Sequence, residues 1–495
     1  MSSKTALFFV PDASSKGDPN LQQLIRGHAQ RHIWGKKKQE SIRRLENTSF
    51  ASTPPPRYRP CHASEERHGS RQKKDACQTA HVRDIGSGNS DPFDMAVARV
   101  DPTLHAYLCY YATSMWCAGR RADRFLATYG ALAIREEGLM HAITASAAVR
   151  QQSCSRRATP ALIQPCLTQH ELLYGALTAS NIRKRLDSEQ DSASDLTIGL
   201  IAVMAMFEAV DLGRLDRSRL HLSAIRKIIG TRPSDDGISW MWYERVIIAD
   251  VKTACVGLSR PLLPLLPTCR STLSVQEILY CQVDNWVPSL ESGALVQFVT
   301  PPCLDIIHQV HELSLLVELS SGFEHFEYEL SPGCSLFLYQ RLALEQALLD
   351  LIADISEDAT PLEACIHVGI LLFINTTFWV RFETTCVILE SLCERLRRLW
   401  SSFSKQMTMP SITTFKVGTW LLFLGAYASK GTDNYAWFMN ELAMVRLSCN
   451  SMATLEELRL DLQQFLYIGK IYGETLEEIS LQLPCWSHTA FYLEL

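Results

Sequence analysis

The sequence predicts an all-α fold, a multi-helix body of one or two lobes behind a basic N-terminal arm. Three observations carry that prediction. From about residue 102 onward apolar residues recur at the +3/+4 spacing of helices, and the period-two alternation of strands is rare. Capping signatures stand in front of two of those apolar runs. The charge is also split along the chain: residues 1–83 hold 16 Lys and Arg against 7 Asp and Glu, a charge of +9, while the rest holds 32 against 46, a charge of −14. Such a split marks a basic extension attached to a separately folded body.

Residues 1–83 mix Lys, Arg, Ser, Gln and His around SFASTPPPRYRP and have almost no apolar periodicity, so burial cannot offset their ordering entropy. A largely disordered arm is expected, with a short helix allowed where Leu21, Leu24, Ile25 and His28 fall at helical spacing. A turn-rich stretch, GSGNSDPF at 86–93, opens the body. The first helical lobe is expected over 84–270. Within it Thr168 and Glu171 read as a capping box, and residues 197–210 are apolar on every side, which suits a helix surrounded by others. Leu222, Ile225 and Ile229 give an amphipathic helix stopped by Gly230 and Pro233. Residues 271–335, broken by Pro288, Pro301 and Pro302, read as an irregular connection. A second helical lobe is expected over 336–495, with a capping box at Thr454 and Glu457 before Leu458, Leu462, Phe465 and Leu466, and Gly469 as its stop. The greasy stretches 366–380 and 417–428 fall short of the roughly 20 residues that span a bilayer and read as core helices, so no membrane partner is expected.

The motifs present argue against an enzyme. His170-Glu171 and His311-Glu312 begin a metalloprotease-like pair, but Tyr174 and Leu315 stand where the second His belongs. Gly86 and Gly88 lack a preceding strand and a third glycine, and neither a nucleophile elbow nor a P-loop occurs. No two of the sixteen cysteines are two residues apart, so zinc ribbons and thioredoxin-like pairs are excluded. Cys61, His62, His68, Cys77 and His81 match no standard zinc finger. No metal or cofactor is expected. The apolar run at 6–10 is too short for a signal-peptide core, so the cysteines read as reduced and buried, including Cys386 and Cys393 on one helical face. The arm's cations are the strongest candidate site: Lys36, Lys37, Lys38, Arg43 and Arg44, followed by Arg71, Lys73 and Lys74. Clusters of this kind suit import receptors and the phosphate backbone, because both attractions are electrostatic and non-directional. No groove-reading element accompanies them.

Several segments share an order. Phe9 and Val10 precede Arg26, Gly27 and His28, then the Lys36 cluster; the 86–93 turn carries Asp91, Pro92 and Phe93; a helix with His170 follows at 170–186. Residues 208–229 place His221-Leu222, 250–264 hold Asp250 and the R-P-x-x-P containing Pro261, and 419–438 contain Trp420, Trp437 and Phe438. In this order they resemble the fungal-specific transcription factor-like proteins of filamentous fungi, over nearly the whole chain. Gly27 stands where that family commonly has Ser, Gln30 where it has Met, and Ala426 where it has a second Gly. The binuclear zinc cluster that gives such regulators their DNA reader is absent from the sequence.

The resemblance implies a nuclear transcription regulator or co-regulator of fungal gene expression, with a metabolic gene cluster as one setting. The expected partners are an import receptor, nucleic acid met non-specifically by the arm, and a DNA-binding partner protein or a homo- or heterodimer. The alternatives are a helical interaction scaffold or small-molecule sensor with no transcriptional role and, behind it, an enzyme of an unrecognised helical class.

Overall fold

The structure, a computed structural model, describes residues 102–111, 131–158, 166–232, 237–264, 293–319, 336–354, 360–379, 387–406, 411–448 and 454–483. The chain divides into two units, Val10–His105 and Met1–Phe9 with Ala106–Leu495. Of the first, only the opening turn of α1 (Pro102–Tyr110) is described. Everything below concerns the second.

Every regular element among the described residues is helical. The N-terminal part holds α2 (Ala131–Arg135), α3 (Glu137–Ala158), α4 (Cys166–Leu186), α5 (Asp195–Met206), α6 (Leu215–Thr231) and α7 (Trp240–Gly257). Helix α5 lies at its centre, against α3, α4, α6 and α7. It is apolar all round and almost wholly buried, as its sequence requires. Ser194 starts it by accepting from Thr197 N at 3.3 Å. Its close approach to α7 needs Gly199, because a Cβ there would fall 1.9 Å from the Trp242 ring.

The C-terminal part comprises α8 (Gly293–Val296), α9 (Pro301–Leu319), α10 (Leu336–Ala353), α11 (Pro361–Thr377), α12 (Val387–Gln406), α13 (Ile412–Ser429), α14 (Asp433–Ser448), α15 (Leu455–Gln463) and α16 (Gly469–Gln482). The greasy stretches of the sequence are α11 and α13, which pack on each other. No helix among the described residues is long and apolar enough to cross a membrane. Thr360 caps α11 through Glu363 N at 3.2 Å with Pro361 in its first turn, and Ser411 caps α13 through Thr414 N at 3.1 Å. The Thr454–Glu457 capping box is closed in both directions, at 3.2 and 2.9 Å. Helix α7 joins the two parts, since it packs on α5 and α6 and also on α10 and α12.

Four local expectations are corrected. Helix α4 begins at Cys166, so Thr168 lies inside its first turn and is no cap. Pro301 and Pro302 open α9 within the stretch expected to be irregular; a first helical turn has no intrahelical use for the N–H that proline lacks. Gly469 starts α16, and α15 already ends at Gln463, which puts buried Phe465 and Leu466 in the link between them. The helix expected over 197–210 stops being α-helical at Met206 and widens into a π turn, Phe207–Asp211, where Leu212 N bonds Phe207 O at 3.2 Å.

Candidate functional site

A charged residue in the middle of a dry helix needs partners, and Lys252 of α7 has them. Its side chain and that of Glu345 of α10 are both 0% exposed, with Nζ 2.5 Å from Glu345 Oε1. Nζ also donates to Asn375 Oδ1 of α11 at 2.8 Å. The Asn375 amide is oriented for this, because its Nδ2 donates to Leu371 O at 2.9 Å and leaves Oδ1 facing the lysine. Burial lowers the Lys252 pKa from its ordinary value, and the Glu345 carboxylate opposes that shift. Glu345 Oε2 has no hydrogen-bond partner among the described residues.

Trp379 stands just beyond the end of α11 and is wired into this pair. Its Nε1 donates to Glu345 Oε1 at 2.8 Å, and Lys252 Nζ lies 3.8 Å from its ring centroid. Arg341 Cζ is 3.9 Å from the same centroid, and its Nη1 donates to Phe378 O at 2.7 Å.

Trp379 also lines a cavity of about 120 Å³. Helix α3 contributes Ala142, Ile143, Ser146 and Arg150, whose spacing puts them on one face; α5 gives Ala202, Val203 and Met206. The π turn adds Phe207 and Asp211, α7 adds Arg245 and Ile248, and Tyr111 completes the wall. The extra residue per turn of a π segment re-aims the side chains that follow, and such turns recur at functional sites. Here it delivers Asp211 to α3, where Ser146 Oγ and Arg150 Nε both donate to its carboxylate, the latter at 2.9 Å. One turn earlier, buried Glu208 faces Arg214 at 3.6 Å and Arg217 at 3.9 Å; burial raises its pKa and Arg214 opposes the rise. The site therefore combines a hollow lined by apolar and polar groups, an indole, and a buried ion pair whose lysine also reaches a third helix. The arrangement sets a small hollow against an indole that is hydrogen-bonded to a buried ion pair.

The sequence-derived residues fall elsewhere. Lys36, Lys37, Lys38, Arg43, Arg44, Arg71, Lys73 and Lys74, with Arg26, His28, Asp91, Pro92 and Phe93, lie outside the described residues. His221 and Asp250 sit on the neighbouring helices α6 and α7, which Ser218 and Thr253 link at 2.7 Å. Asp250 is 2% exposed and accepts from Leu262 N at 3.0 Å and Leu263 N at 2.7 Å, tying down the loop that contains Pro261. Burial nevertheless pushes its carboxyl up to about 6, and burial pushes the His221 imidazole down to about 4, with Arg217 adding to the fall. Trp420 is core: its Nε1 donates to Leu466 O at 3.0 Å and its ring stacks on Phe465. Phe438 fills the space over Gly425, and Arg397 lies over the Trp437 ring.

Sequence reasoning missed Lys252, Glu345, Arg341, Trp379, Ser146, Arg150, Asp211 and Arg245. One signal was present. Lys252 and Asn375 each interrupt a long apolar run, in VIIADVKTACVG and ILLFINTTFW. Among the described residues no three His, Cys, Asp or Glu side chains gather as a metal site. No protein-family model matches the chain, and no curated protein or solved structure matches it.

Proposed function

We propose that this chain is a nuclear regulator or co-regulator of fungal transcription whose helical body responds to a small molecule. The observation that carries the regulatory part is the cavity beside Trp379. A molecule entering it presses on the ring that holds Glu345, Lys252 and Arg341, and so on the contacts tying α7 to α10 and α11. Transmission of this kind needs only a two-state element that the ligand biases. The nuclear and transcriptional part is supported by the order of segments that resemble the fungal regulators and by the +9 arm on a −14 remainder.

In this reading Lys36, Lys37, Lys38, Arg43 and Arg44 engage an import receptor and, non-specifically, the phosphate backbone. Target choice then falls to a DNA-binding partner protein or a second subunit. The test is localisation of the tagged full chain, with and without all five cations replaced by Ala. Nuclear accumulation that is lost in the variant is expected; a cytoplasmic parent overturns the nuclear reading. On two unrelated duplexes the full chain should bind weakly and without preference, losing about 0.9 log unit of affinity per log unit of salt for each phosphate contacted. A selective, salt-tolerant complex with one duplex contradicts this. The cavity equally favours a second reading, a small-molecule sensor with no transcriptional role, which a cytoplasmic but ligand-responsive protein would establish.

A further inference from the structure

Prolines of the helical body have structural uses. Pro301 and Pro302 open α9, Pro361 opens α11, and Pro261 lies in the loop that Asp250 ties down. The chain's one run of three prolines, Pro54, Pro55 and Pro56, reads on as Arg57, Tyr58, Arg59 and Pro60, with no apolar helical pattern behind it for those rings to start. This run lies outside the described residues. We infer that Pro55, Pro56, Arg57 and Tyr58, a P-P-x-Y sequence, are the docking segment for a WW domain of a partner protein. Such a contact goes beyond the regulatory reading above and does not depend on it.

Backbone chemistry prepares the segment. A proline ring holds φ near −65°, and any residue that precedes a proline is pushed out of the α region. Thr53, Pro54, Pro55 and Arg59 each precede a proline, so the sequence biases 53–60 toward the extended polyproline II conformation. A segment biased toward its bound form loses less entropy on docking. A WW groove clasps a proline pair between aromatic rings and takes a tyrosine ring in the neighbouring pocket. Polyproline II has three residues per turn, so in that conformation Pro55 and Tyr58 share one face and Arg57 does not. Spacing selects the class of partner. SH3 domains grip P-x-x-P, and no two of Pro54, Pro55, Pro56 and Pro60 stand three apart. Phosphorylation of Tyr58 would add a charge of about −1.5 to −2 to a ring that must enter an aromatic pocket, and so would switch docking off.

The experiment titrates the purified full chain with a purified WW domain that selects P-P-x-Y peptides, read by calorimetry, with an SH3 domain for comparison. Saturable binding of one WW domain per chain is expected, and none of the SH3 domain. Tyr58→Ala and Pro56→Ala should each weaken the complex by about tenfold or more, and Arg57→Ala by less than about threefold, with the circular dichroism spectrum unchanged in all three. An unmodified peptide of residues 50–63 should compete with the full chain, and the same peptide phosphorylated on Tyr58 should not. No binding by the full chain overturns the docking role even where the peptide binds, because the segment is then not presented by the protein. WW binding that survives both Tyr58→Ala and Pro56→Ala overturns the placement. SH3 binding that Pro56→Ala abolishes, without WW binding, overturns the partner class. Equal competition by the phosphorylated peptide overturns the switch.

Discussion

Replacing Asp250 by Asn removes one of two buried titrations that act against each other. The Asp250 carboxyl titrates near 6 in the folded chain against an ordinary 3.8, so between those values the folded state binds more protons than the unfolded one. Its contribution therefore favours folding at low pH and is lost as pH rises through about 6. The His221 imidazole titrates near 4 against 6.5, so the unfolded state binds more protons and that contribution grows as pH rises from about 4 to 6.5. Each shift is a little over two units, worth about 3 kcal/mol at 1.36 kcal/mol per unit. The two slopes nearly cancel in the parent. In Asp250→Asn the amide oxygen can still accept from Leu262 or Leu263, but the amide nitrogen cannot, so at pH 4 the variant should be about 1 kcal/mol less stable. From pH 4 to 7 its stability relative to the parent should rise by about 3 kcal/mol. Urea midpoints from far-UV circular dichroism at half-unit pH steps measure this, and His221→Gln should drift the opposite way. A stability difference that is flat with pH would refute the raised carboxyl and the cancellation built on it.

Three further substitutions probe the packing. Glu345→Gln leaves the Lys252 ammonium fully buried without its carboxylate and should cost about 3–5 kcal/mol in urea unfolding, whereas Lys252→Met with Glu345→Leu should recover most of it. Gly199→Ala puts a Cβ within 1.9 Å of the Trp242 ring, forces α5 from α7 and should cost about 1–3 kcal/mol by the same measurement. Thr454→Ala opens one side of the capping box and should cost about 1 kcal/mol, with faster amide exchange confined to the first turn of α15.

Sequence pattern made the helical class legible, because burial dictates which residues face inward and the chain must supply them periodically. The all-round apolar run at α5 and the greasy stretches at α11 and α13 were unambiguous. Boundaries were less so. Thr168 and Gly469 carry the right chemistry for a cap and a stop, yet neighbouring packing decides where a helix begins, and a one-turn shift moves both roles. The π turn left no mark in the sequence, and neither did the meeting of Asp211 with Ser146 and Arg150 on another helix. The site was the least legible part. Lys252, Glu345, Asn375 and Trp379 are spread over more than 120 residues, and a partnership at that separation has no local pattern. Lys252 and Asn375 advertised only that each needed a partner.

Helix α7 has no spare side. Trp242 meets Gly199, Arg245 and Ile248 line the hollow, Asp250 restrains the following loop, Lys252 reaches two helices beyond, and Thr253 bonds to Ser218. One residue inserted into or deleted from an α-helix turns everything after it by about 100°. In α7 a change between Trp242 and Lys252 would make it impossible to keep the indole over its glycine and the ammonium on Glu345 and Asn375 together. A length change within α7 is thus costly whatever residue is added. The eighteen-residue span of α7 is a fixed ruler against which the rest of the body is set.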